Sequence, residues 1–445
     1  MCLTVSGCYF FVGKKGKVNM KTWTKLFAGS AVLALTSGAF ATAVPTVANA
    51  ASKPTKITFW HAMTGNYAKA LDDQIKAFNA SQSKYEIVAT AQGDYTTLNQ
   101  KVMAAAKSKT LPDMAQATYT QVPDYAKDGI VTNLDSQVKG KSGLSKADLK
   151  NIYPGFLEQA KYKGSYYAMP FSASVRVMFY NKSILKQYNL AVPKTWDDVA
   201  KMAKTLKDHN IAAVGYDKSF DMEWNSMVRS AGVKLVTPAG KVNVNSKQAV
   251  AAAKTITDMV DNGEALTAGS DIYGTTNFVN GKTALSFSSS AGISATKAAA
   301  PQGFDWGTAV MPSYKGKQAT MLAGNNLVTT AQASKKEQAG AFAFMKFLAS
   351  DKQTEKWAEA TGYLPITKKA ANSADYKSYL KANPLAKAAS DSLPGAFSDT
   401  AFLGYQEYRT DLLSATDAML TKKTAPKDAL DTLQKQTTKI VKDNK

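Results

Sequence analysis

The chain has 445 residues, of which 45% are hydrophobic and 20% charged, so it is long enough for two lobes and has the composition of a soluble globular protein. Its formal net charge is +21, and the five lysines among residues 1–50 leave +16 for the remainder. Such a surface favours anionic surroundings, such as wall polymers, lipid head groups or anionic solutes. The lysines are scattered among polar residues without a basic motif that includes aromatics, which argues against nucleic acid as a partner.

The N-terminal end of the chain predicts an export signal that starts at Met20, which we take as the true start. Lys21 and Lys25 form the positive end, an uncharged stretch follows, and residues 48–50 (Ala-Asn-Ala) form a small-x-small cleavage site. A membrane anchor is the less favoured alternative, because the glycines, serines and proline of this stretch make a poor spanning helix. We therefore assign residues 1–50 to an N-terminal extension and a signal peptide, with cleavage after the last alanine.

The next part of the chain predicts a parallel β-sheet covered by helices. Strand patterns at Lys56–Met63, Tyr85–Ala91 and Asp113–Thr118 alternate with amphipathic helix patterns at residues 65–80 and Tyr95–Lys107. This β-α-β-α-β order predicts a parallel sheet with both faces covered, in which ligands bind beyond the carboxyl ends of the strands. Three segments are therefore placed at one rim: Trp60-His61, Gly93-Asp94-Tyr95 and Thr118-Tyr119-Thr120.

The stretch Met169–Trp196 predicts an extended segment, a strand, a short helix and a loop that leads into another helix. Pro193 disfavours helix just before it, and Thr195 with Asp198 has the spacing of a capping box. Trp196 therefore lies on the first turn of a helix. An indole at this position either packs in the core or faces a cleft.

The remaining elements continue the alternation of strands and helices, and we find no internal repeat. Strands are predicted at Ile211–Tyr216, Thr283–Ser289, Phe304–Pro312 and Ala323–Thr330. Helices are predicted near residues 222–232, 246–262, 335–350, 368–383, 403–421 and 426–443.

Arginine and cysteine are informative because they are rare. The arginines are Arg176, Arg229 and Arg409. A planar guanidinium fork for phosphate or carboxylate must be sought among these three, since lysine supplies the other positive charges. Cys2 and Cys8 both precede the predicted start, so the mature chain has no thiol for a disulfide, a thiolate metal site or a nucleophile.

Seven motifs carry a family resemblance. In chain order they are ITFWHAM; FNASQSKYEIV; GDYTTL; YYAMPFSASV with FYNK and PKTWDD; NFVNGKTALSFSSS; WAEATGYLPIT; and APKDALDTL. With them the chain resembles the extracellular solute-binding proteins that feed ABC importers, and among these the glycerol phosphate receptors. The resemblance implies an α/β, two-lobed, periplasmic-binding-protein-like fold with a ligand cleft between lobes joined by hinge crossings.

The resemblance also implies the domain organisation and the partners. Lobe I would comprise residues 51–170 and 312–366, and lobe II residues 171–311 and 367–445. The partners would be a small-molecule ligand and the transmembrane subunits of an ABC permease, and we expect a monomer without cofactor, metal site or catalytic residues. The protein would be exported and extracellular or associated with the cell surface, although no lipoprotein cysteine follows the signal, which leaves the mode of surface retention open.

Matching by motif implies a set of ligand contacts. Hydrogen bonds to phosphate or glycerol would come from Tyr95, Ser174, Ser289, Gly324 and Tyr363. Trp196 would form an aromatic floor, and Arg409 would bind phosphate, although it matches only across a one-residue length difference. A dianion stripped of water needs several neutral donors and at least one fixed charge, and arginine gives two parallel donors. Each residue also has a purely structural interpretation: a core-edge tyrosine, a strand-end serine, a bend at the glycine, or a surface ion pair for the arginine.

One position departs from the glycerol phosphate receptors. Where they have a glutamate that accepts glycerol hydroxyls, this chain has Tyr119. A tyrosine there can stack on a sugar or on a larger head group. The departure favours a glycerophosphodiester or an oligosaccharide over free glycerol-3-phosphate.

Four functions compete on these grounds. The first is a receptor for glycerol-3-phosphate or its diesters, and the second is a sugar receptor of the same class. A secreted hydrolase is less favoured, because His61 and His209 are too few for a binuclear histidine site and the Asp72-Asp73 pair fits a solvated helix face. An adhesin that binds wall polymer through its positive surface needs no cleft at all.

Overall fold

The structure is a computed structural model that describes residues 53–269, 271 and 273–444. The predicted export signal and its cleavage site fall on residues 1–50 and therefore lie outside the described residues.

Twelve strands occur in the described part of the chain, ten of them in one sheet. They are β1 (Thr55–His61), β2 (Tyr85–Ala91), β3 (Met114–Ala117), β4 (Lys161–Tyr162), β5 (Ser165–Tyr166), β6 (Met169–Asn181), β7 (Ala212–Gly215), β8 (Ala265–Leu266), β9 (Thr283–Ser289), β10 (Trp306–Ala309), β11 (Thr320–Thr329) and β12 (Ala396–Phe397). The order along the sheet is β2-β1-β3-β11-β6-β9-β7-β8, with β10 paired to β6 and β12 paired to β11.

The helices of the described residues fall before, between and after these strands. They are α1 (Gly65–Ser81), α2 (Tyr95–Ser108), α3 (Val122–Lys127), α4 (Asp135–Lys139), α5 (Lys146–Asn151), α6 (Pro154–Gln159), α7 (Lys182–Gln187), α8 (Trp196–Lys207), α9 (Asp221–Ser230), α10 (Lys247–Asp261), α11 (Thr275–Val279), α12 (Ile293–Ala299), α13 (Lys335–Leu348), α14 (Asp351–Thr361), α15 (Lys368–Ala371), α16 (Ala374–Ala382), α17 (Pro384–Asp391), α18 (Tyr405–Thr421) and α19 (Pro426–Asp443). Two short 3-10 helices span Ser290–Gly292 and Leu393–Gly395. None of these helices is both long enough and apolar enough to span a membrane.

The predicted parallel sheet is confirmed. Strand β1 pairs in parallel with β2 on one side and with β3 on the other, and helices α1 and α2 form the crossovers. The apolar side of α1 faces inward through Leu71, Ile75 and Phe78, as the spacing of these residues predicts. The carboxyl ends of β1, β2 and β3 therefore meet at one rim.

The stretch that begins at Met169 is the centre of the sheet. The extended segment and the strand predicted there form a single 13-residue strand, β6, which is buried along almost its whole length. It pairs antiparallel with β11 through Ser174 and Ala323, and antiparallel with β9 through Arg176 and Ser289. Strand β6 therefore connects the parallel strands β1–β3, through β11, to the strands β7–β9.

The apolar core has two main clusters. The first includes Phe59, Phe78 and Phe344 and packs α1, α2 and α13 against the parallel strands. The second includes Val199 and Leu430 and packs α8–α10, α18 and α19 around β7 and β9. Two clusters at the two ends of one continuous sheet are what a two-lobed fold requires. The residue boundaries of the lobes stay a prediction.

Two helical regions in the last third of the chain differ from prediction. The predicted helix at 368–383 is two helices, because the Ser373 side chain accepts a hydrogen bond from the backbone N–H of Tyr376 and starts a new helix there. Helix α14 carries part of the WAEATGYLPIT motif and was not predicted. It ends at Gly362, whose φ of 78° is left-handed, a common helix terminus.

Candidate ligand-binding site

The rim of the parallel sheet holds two of the candidate residues. Tyr95 is the first residue of α2, whose start is fixed because the side chain of Asp94 accepts a hydrogen bond from the backbone N–H of Thr97. Tyr119 lies two residues after the end of β3. His61, at the end of β1, is buried, and its Nδ1 accepts from the backbone N–H of Met63 at 3.2 Å. Burial lowers the pKa of His61, which fits a structural histidine.

Three tyrosines form what we call the tyrosine cluster: Tyr67, Tyr95 and Tyr363. The rings of Tyr67 and Tyr363 lie 6.0 Å apart edge to face, and Tyr363 also stacks on Trp357 at 5.8 Å. The hydroxyl of Tyr95 accepts a hydrogen bond from Asn325 Nδ2 at 2.7 Å. The pKa of Tyr363 is raised to about 12, mainly by burial and to a smaller extent by the neighbouring Tyr67. Its hydroxyl therefore keeps its proton. The cluster therefore offers neutral hydrogen-bonding groups.

Gly324 and Ser174 lie on the paired strands β11 and β6. Gly324 is opposite Ala173, has φ of +133°, and a Cβ on it would meet the carbonyl oxygen of Ser172 at 2.0 Å. Only glycine allows the two backbones to approach this closely. Ser174 is buried beside it.

Ser289 ends strand β9 and caps the 3-10 helix that follows it. Its Oγ accepts a hydrogen bond from the backbone N–H of Ala291 at 3.2 Å. The hydroxyl of Tyr67 donates to the carbonyl of Ala291 and lies 3.1 Å from Ser294 Oγ. Tyr67 therefore joins the segment after Ser289 to the tyrosine cluster.

Arg409 and Tyr119 lie in a second group, which we call the arginine cluster and which also contains Asp221, Asp399 and Tyr405. Arg409 on α18 donates through Nη1 to Asp221, the first residue of α9. The hydroxyl of Tyr119 accepts from the backbone N–H of Asp399 at 3.2 Å, and Tyr405 donates to the Asp399 carboxylate at 3.0 Å.

The two carboxylates of the arginine cluster titrate in opposite directions. Burial opposes the ionisation of Asp221, but the Arg409 guanidinium and the Ser219 hydroxyl hold its pKa below the usual value. Burial raises the pKa of Asp399, while the hydrogen bond that Tyr405 donates to it acts in the opposite direction. Asp221 therefore offsets the charge of Arg409, while burial makes the ionised form of Asp399 less favourable than that of an ordinary aspartate.

Trp196 does not join either group. It begins α8 as predicted, with a complete capping box between Thr195 and Asp198. The indole is only 4% exposed and lies 5.2 Å from the ring of Phe287 within the second core cluster. The indole therefore packs in the core, as Ser174 and Tyr119 are also buried, and its role as an aromatic floor stays a prediction.

Arg176, the arginine on β6, is buried and pairs with two carboxylates. Its Nε donates to Glu223 at 2.8 Å, and its Nη2 donates to Asp217 at 3.0 Å and to the carbonyl of Phe287 at 2.9 Å. Burial, with Arg176 opposing it, raises the pKa of Glu223 to about 7. This arginine holds β6, α9 and β9 together, and its charge is offset by the two carboxylates.

Sequence reasoning missed several residues of these groups. Tyr67 lies within the helix predicted at residues 65–80, and nothing in its spacing shows that the hydroxyl reaches the segment after β9. Asn325 adjoins Gly324, and a polar side chain in a buried strand is a signal that could have identified it. Asp221 and Asp399 are isolated acids in the sequence, and no local pattern marks them.

The larger of two described cavities, about 400 Å³, contains none of the candidate residues. It is mostly apolar and is lined in part by Tyr153, Phe156, Leu322 and Leu393. A smaller polar cavity lies beside the arginine cluster. Over the part of the chain that the structure describes, no group of three or more histidine, cysteine, aspartate or glutamate side chains is placed to hold a metal ion. The Asp72-Asp73 pair is exposed, and Asp73 pairs with Lys69 at 2.8 Å, which confirms the solvated helix face predicted for it.

Comparisons with known proteins place this architecture in a family. The family model of bacterial extracellular solute-binding proteins matches residues 73–385. The sn-glycerol-3-phosphate-binding periplasmic protein UgpB of Escherichia coli O1:K1 / APEC is 27% identical over 424 residues, which cover 90% of this chain and 95% of that protein.

Two solved structures share the fold at lower sequence identity. The cyclic alpha-maltosyl-1,6-maltose binding protein from Arthrobacter globiformis matches with a TM-score of 0.76 at 22% identity, over 88% of this chain and 100% of that one. UgpB from Mycobacterium tuberculosis, solved in complex with glycerophosphocholine, matches with a TM-score of 0.76 at 22% identity, over 87% of this chain and 98% of that one. The mixed α/β architecture and these matches confirm the predicted two-lobed, periplasmic-binding-protein-like fold. The chain belongs to the family of bacterial extracellular solute-binding proteins.

Proposed function

We propose that this protein captures a glycerophosphoryl solute, either glycerol-3-phosphate or one of its diesters, between its lobes and delivers it to an ABC permease in the membrane. The observation that supports this proposal is the tyrosine cluster. In it the rings of Tyr67 and Tyr363 pack edge to face, and Tyr95 is hydrogen-bonded to Asn325, the residue next to the glycine that brings β11 close to β6. Neutral hydroxyl and amide groups of this kind hydrogen-bond glycerol and phosphate oxygens without adding a competing charge.

The candidate residues keep their proposed roles as ligand contacts. Tyr95, Tyr119, Ser174, Ser289, Gly324 and Tyr363 remain proposed contacts. Arg409 remains one through the N–H groups that Asp221 does not use. Trp196 remains the proposed aromatic floor, and its indole packs on Phe287 in the structure.

The wider biology of the protein follows the same proposal. It would be exported through the signal at residues 20–50, act as a monomer outside the cell membrane, and release its ligand to the permease unchanged. Pure protein should therefore not hydrolyse glycerophosphocholine.

A second candidate function, binding of a neutral oligosaccharide, is favoured by the charge balance of the arginine cluster. Asp221 offsets Arg409, and Asp399 adds a further acid beside Tyr119. Carboxylates accept hydrogen bonds from sugar hydroxyls, whereas they repel a phosphate dianion.

Calorimetric titration of the purified secreted protein tests both candidates. We expect heat of binding with sn-glycerol-3-phosphate or glycerophosphocholine, and none with maltose. Binding of maltose alone would replace the first candidate with the second. Binding of none of the three would contradict both proposed ligand classes.

A further inference from the structure

Arg229 differs from the other two arginines because no acid neutralises it. Arg176 pairs with two carboxylates and Arg409 pairs with one. Among the residues that the structure describes, Arg229 forms no ion pair, and none of its guanidinium N–H groups donates a hydrogen bond. Its guanidinium carbon lies 5.1 Å from the ring centroid of Phe397, within the range of a cation–π contact.

The guanidinium borders a small polar cavity, which we call the Arg229 pocket. The pocket has a volume of about 40 Å³. Its other lining residues include Asn225, Lys234, Ser398 and Thr400. Since roughly 10–15 Å³ of such volume accommodates one water, the pocket has room for a few water-sized groups, such as the oxygens of a phosphate.

The charge of the Arg229 pocket is positive. Arg229 and Lys234 contribute two fixed positive charges, and the only acid among the lining residues is Asp399. The Asp399 carboxylate already accepts hydrogen bonds from Tyr405 at 3.0 Å and from the backbone N–H of Thr400 at 3.0 Å. Even with Asp399 ionised, the pocket keeps a surplus positive charge, which the Arg409–Asp221 pair lacks.

The pocket adjoins the candidate site. Asp399 lines it and donates its backbone N–H to the hydroxyl of Tyr119, the residue that stands where the glycerol phosphate receptors have a glutamate. Asn225 lines the pocket from α9, the helix that begins with Asp221. A ligand that extends past Tyr119 would therefore meet this pocket.

We propose that the Arg229 pocket binds the anionic group of the ligand, a phosphate monoester or diester, through the guanidinium of Arg229 and the ammonium of Lys234. This inference rests on the proposed function and assigns the fixed charge that a phosphate needs. Arg409, whose charge Asp221 offsets, then acts as a hydrogen-bond donor to the ligand.

Calorimetry with sn-glycerol-3-phosphate tests the assignment on three variants. We expect at least tenfold weaker binding for Arg229→Gln and a several-fold loss for Lys234→Gln. The affinity of Arg229→Lys should lie between those of wild type and Arg229→Gln, because lysine keeps the positive charge but lacks the two parallel donors of a guanidinium. Lys241→Gln removes the same charge from an exposed position outside the pocket lining and should bind as wild type does. Wild-type affinity in Arg229→Gln would overturn the inference and leave the proposed function intact.

If wild type binds neither glycerol-3-phosphate nor glycerophosphocholine, the proposed function is refuted. A second measurement then still tests the Arg229 pocket as a phosphate site. Inorganic phosphate, compared with chloride at equal ionic strength, should then raise the melting temperature of wild type and of Lys241→Gln but not of Arg229→Gln. An equal rise in all three proteins, or no rise in any, would overturn the pocket assignment. Near-identical far-UV circular dichroism of the variants would show that they fold alike.

Discussion

At the scale of single residues, the ion pair between Arg409 and Asp221 means that a substitution at Arg409 changes the stability of the protein as well as ligand binding. Asp221 is 5% exposed and Arg409 is 34% exposed. Removing one partner of a fully buried pair costs roughly 3–5 kcal/mol, and solvent screening at the exposed partner reduces this. We therefore expect Arg409→Gln to lower the free energy of unfolding by about 2 kcal/mol at pH 7, as measured by urea denaturation.

The matched control for this prediction is the double variant Arg409→Gln/Asp221→Asn. Once both charges are gone, no carboxylate is left unpaired, so the double variant should be more stable than the sum of the two single losses implies. Strict additivity of the two substitutions would contradict the pairing. Loss of ligand affinity in Arg409→Gln alone could therefore reflect a rearranged Asp221, and binding should be measured in the double variant as well.

The raised pKa of Glu223 predicts that the free energy of unfolding depends on pH. Burial raises its pKa from the ordinary 4.5 to about 7, and its Oε2 has no hydrogen-bond partner in the described part of the chain. The groups that face it are Arg176, Asp217 and Asp221. A carboxyl with a raised folded-state pKa contributes stability below pH 4.5 and loses it as the pH rises through 7. At about 1.4 kcal/mol per pKa unit, the loss amounts to about 3 kcal/mol.

The variant Glu223→Gln isolates this contribution. Its free energy of unfolding should fall less than that of wild type between pH 4.5 and pH 8, in urea titrations at several pH values. The lowered pKa of Asp221 acts in a different window, because its contribution is lost only as the pH falls below about 3.8. Parallel pH curves for wild type and Glu223→Gln would show that Glu223 titrates normally in the folded protein.

At the scale of elements, Gly324 determines how closely β11 approaches β6. A side chain there would meet the carbonyl oxygen of Ser172 at 2.0 Å, and the φ of +133° is unfavourable for any L-residue with a Cβ. We expect Gly324→Ala to cost about 3 kcal/mol or more, from backbone strain and overpacking together, and to weaken ligand binding. Urea denaturation and calorimetry measure the two effects.

Gly316 provides the control, because its φ is +73° and a Cβ on it would meet nothing within 4 Å. Gly316→Ala should therefore cost only the backbone strain, about 1 kcal/mol. If the two alanine variants were equally stable, the close approach of the strands would not explain why glycine occurs at 324.

The elements show where sequence reasoning succeeds. The strands at Tyr85–Ala91 and Thr283–Ser289 and the capped start of the Trp196 helix were predicted correctly, because alternation and capping are local signals. The position of Trp196 in the core depends on the distant Phe287, which no local pattern reveals. For the same reason the sequence identified Tyr119 and Arg409 separately but could not supply Asp221 and Asp399, the acids that surround them.

At the scale of the whole molecule, a set of hydrogen bonds joins the segment after β3 to the C-terminal helices. The backbone N–H of Gly404 donates to Asp124 at 2.9 Å, and Gln406 donates to Thr120 at 3.3 Å. The backbone N–H of Asp399 donates to Tyr119 at 3.2 Å. These contacts link residues that the sequence analysis assigned to different lobes. If that assignment is correct, they break whenever the lobes separate.

Amide hydrogen exchange of Asp399 and Gly404 therefore reports on the proposed hinge motion. Both amides donate to side chains of the predicted lobe I and not to a helix or strand of their own, so their protection depends on the lobes staying together. We expect exchange at least tenfold slower when glycerol-3-phosphate or maltose, whichever compound binds, is present at saturation. The amide of Phe59, inside β1 between two parallel neighbours, should be protected equally in both states. Equal protection of Asp399 and Gly404 with and without ligand would mean that the molecule does not open along this line, and that the lobe boundaries predicted at residues 170 and 366 must be redrawn.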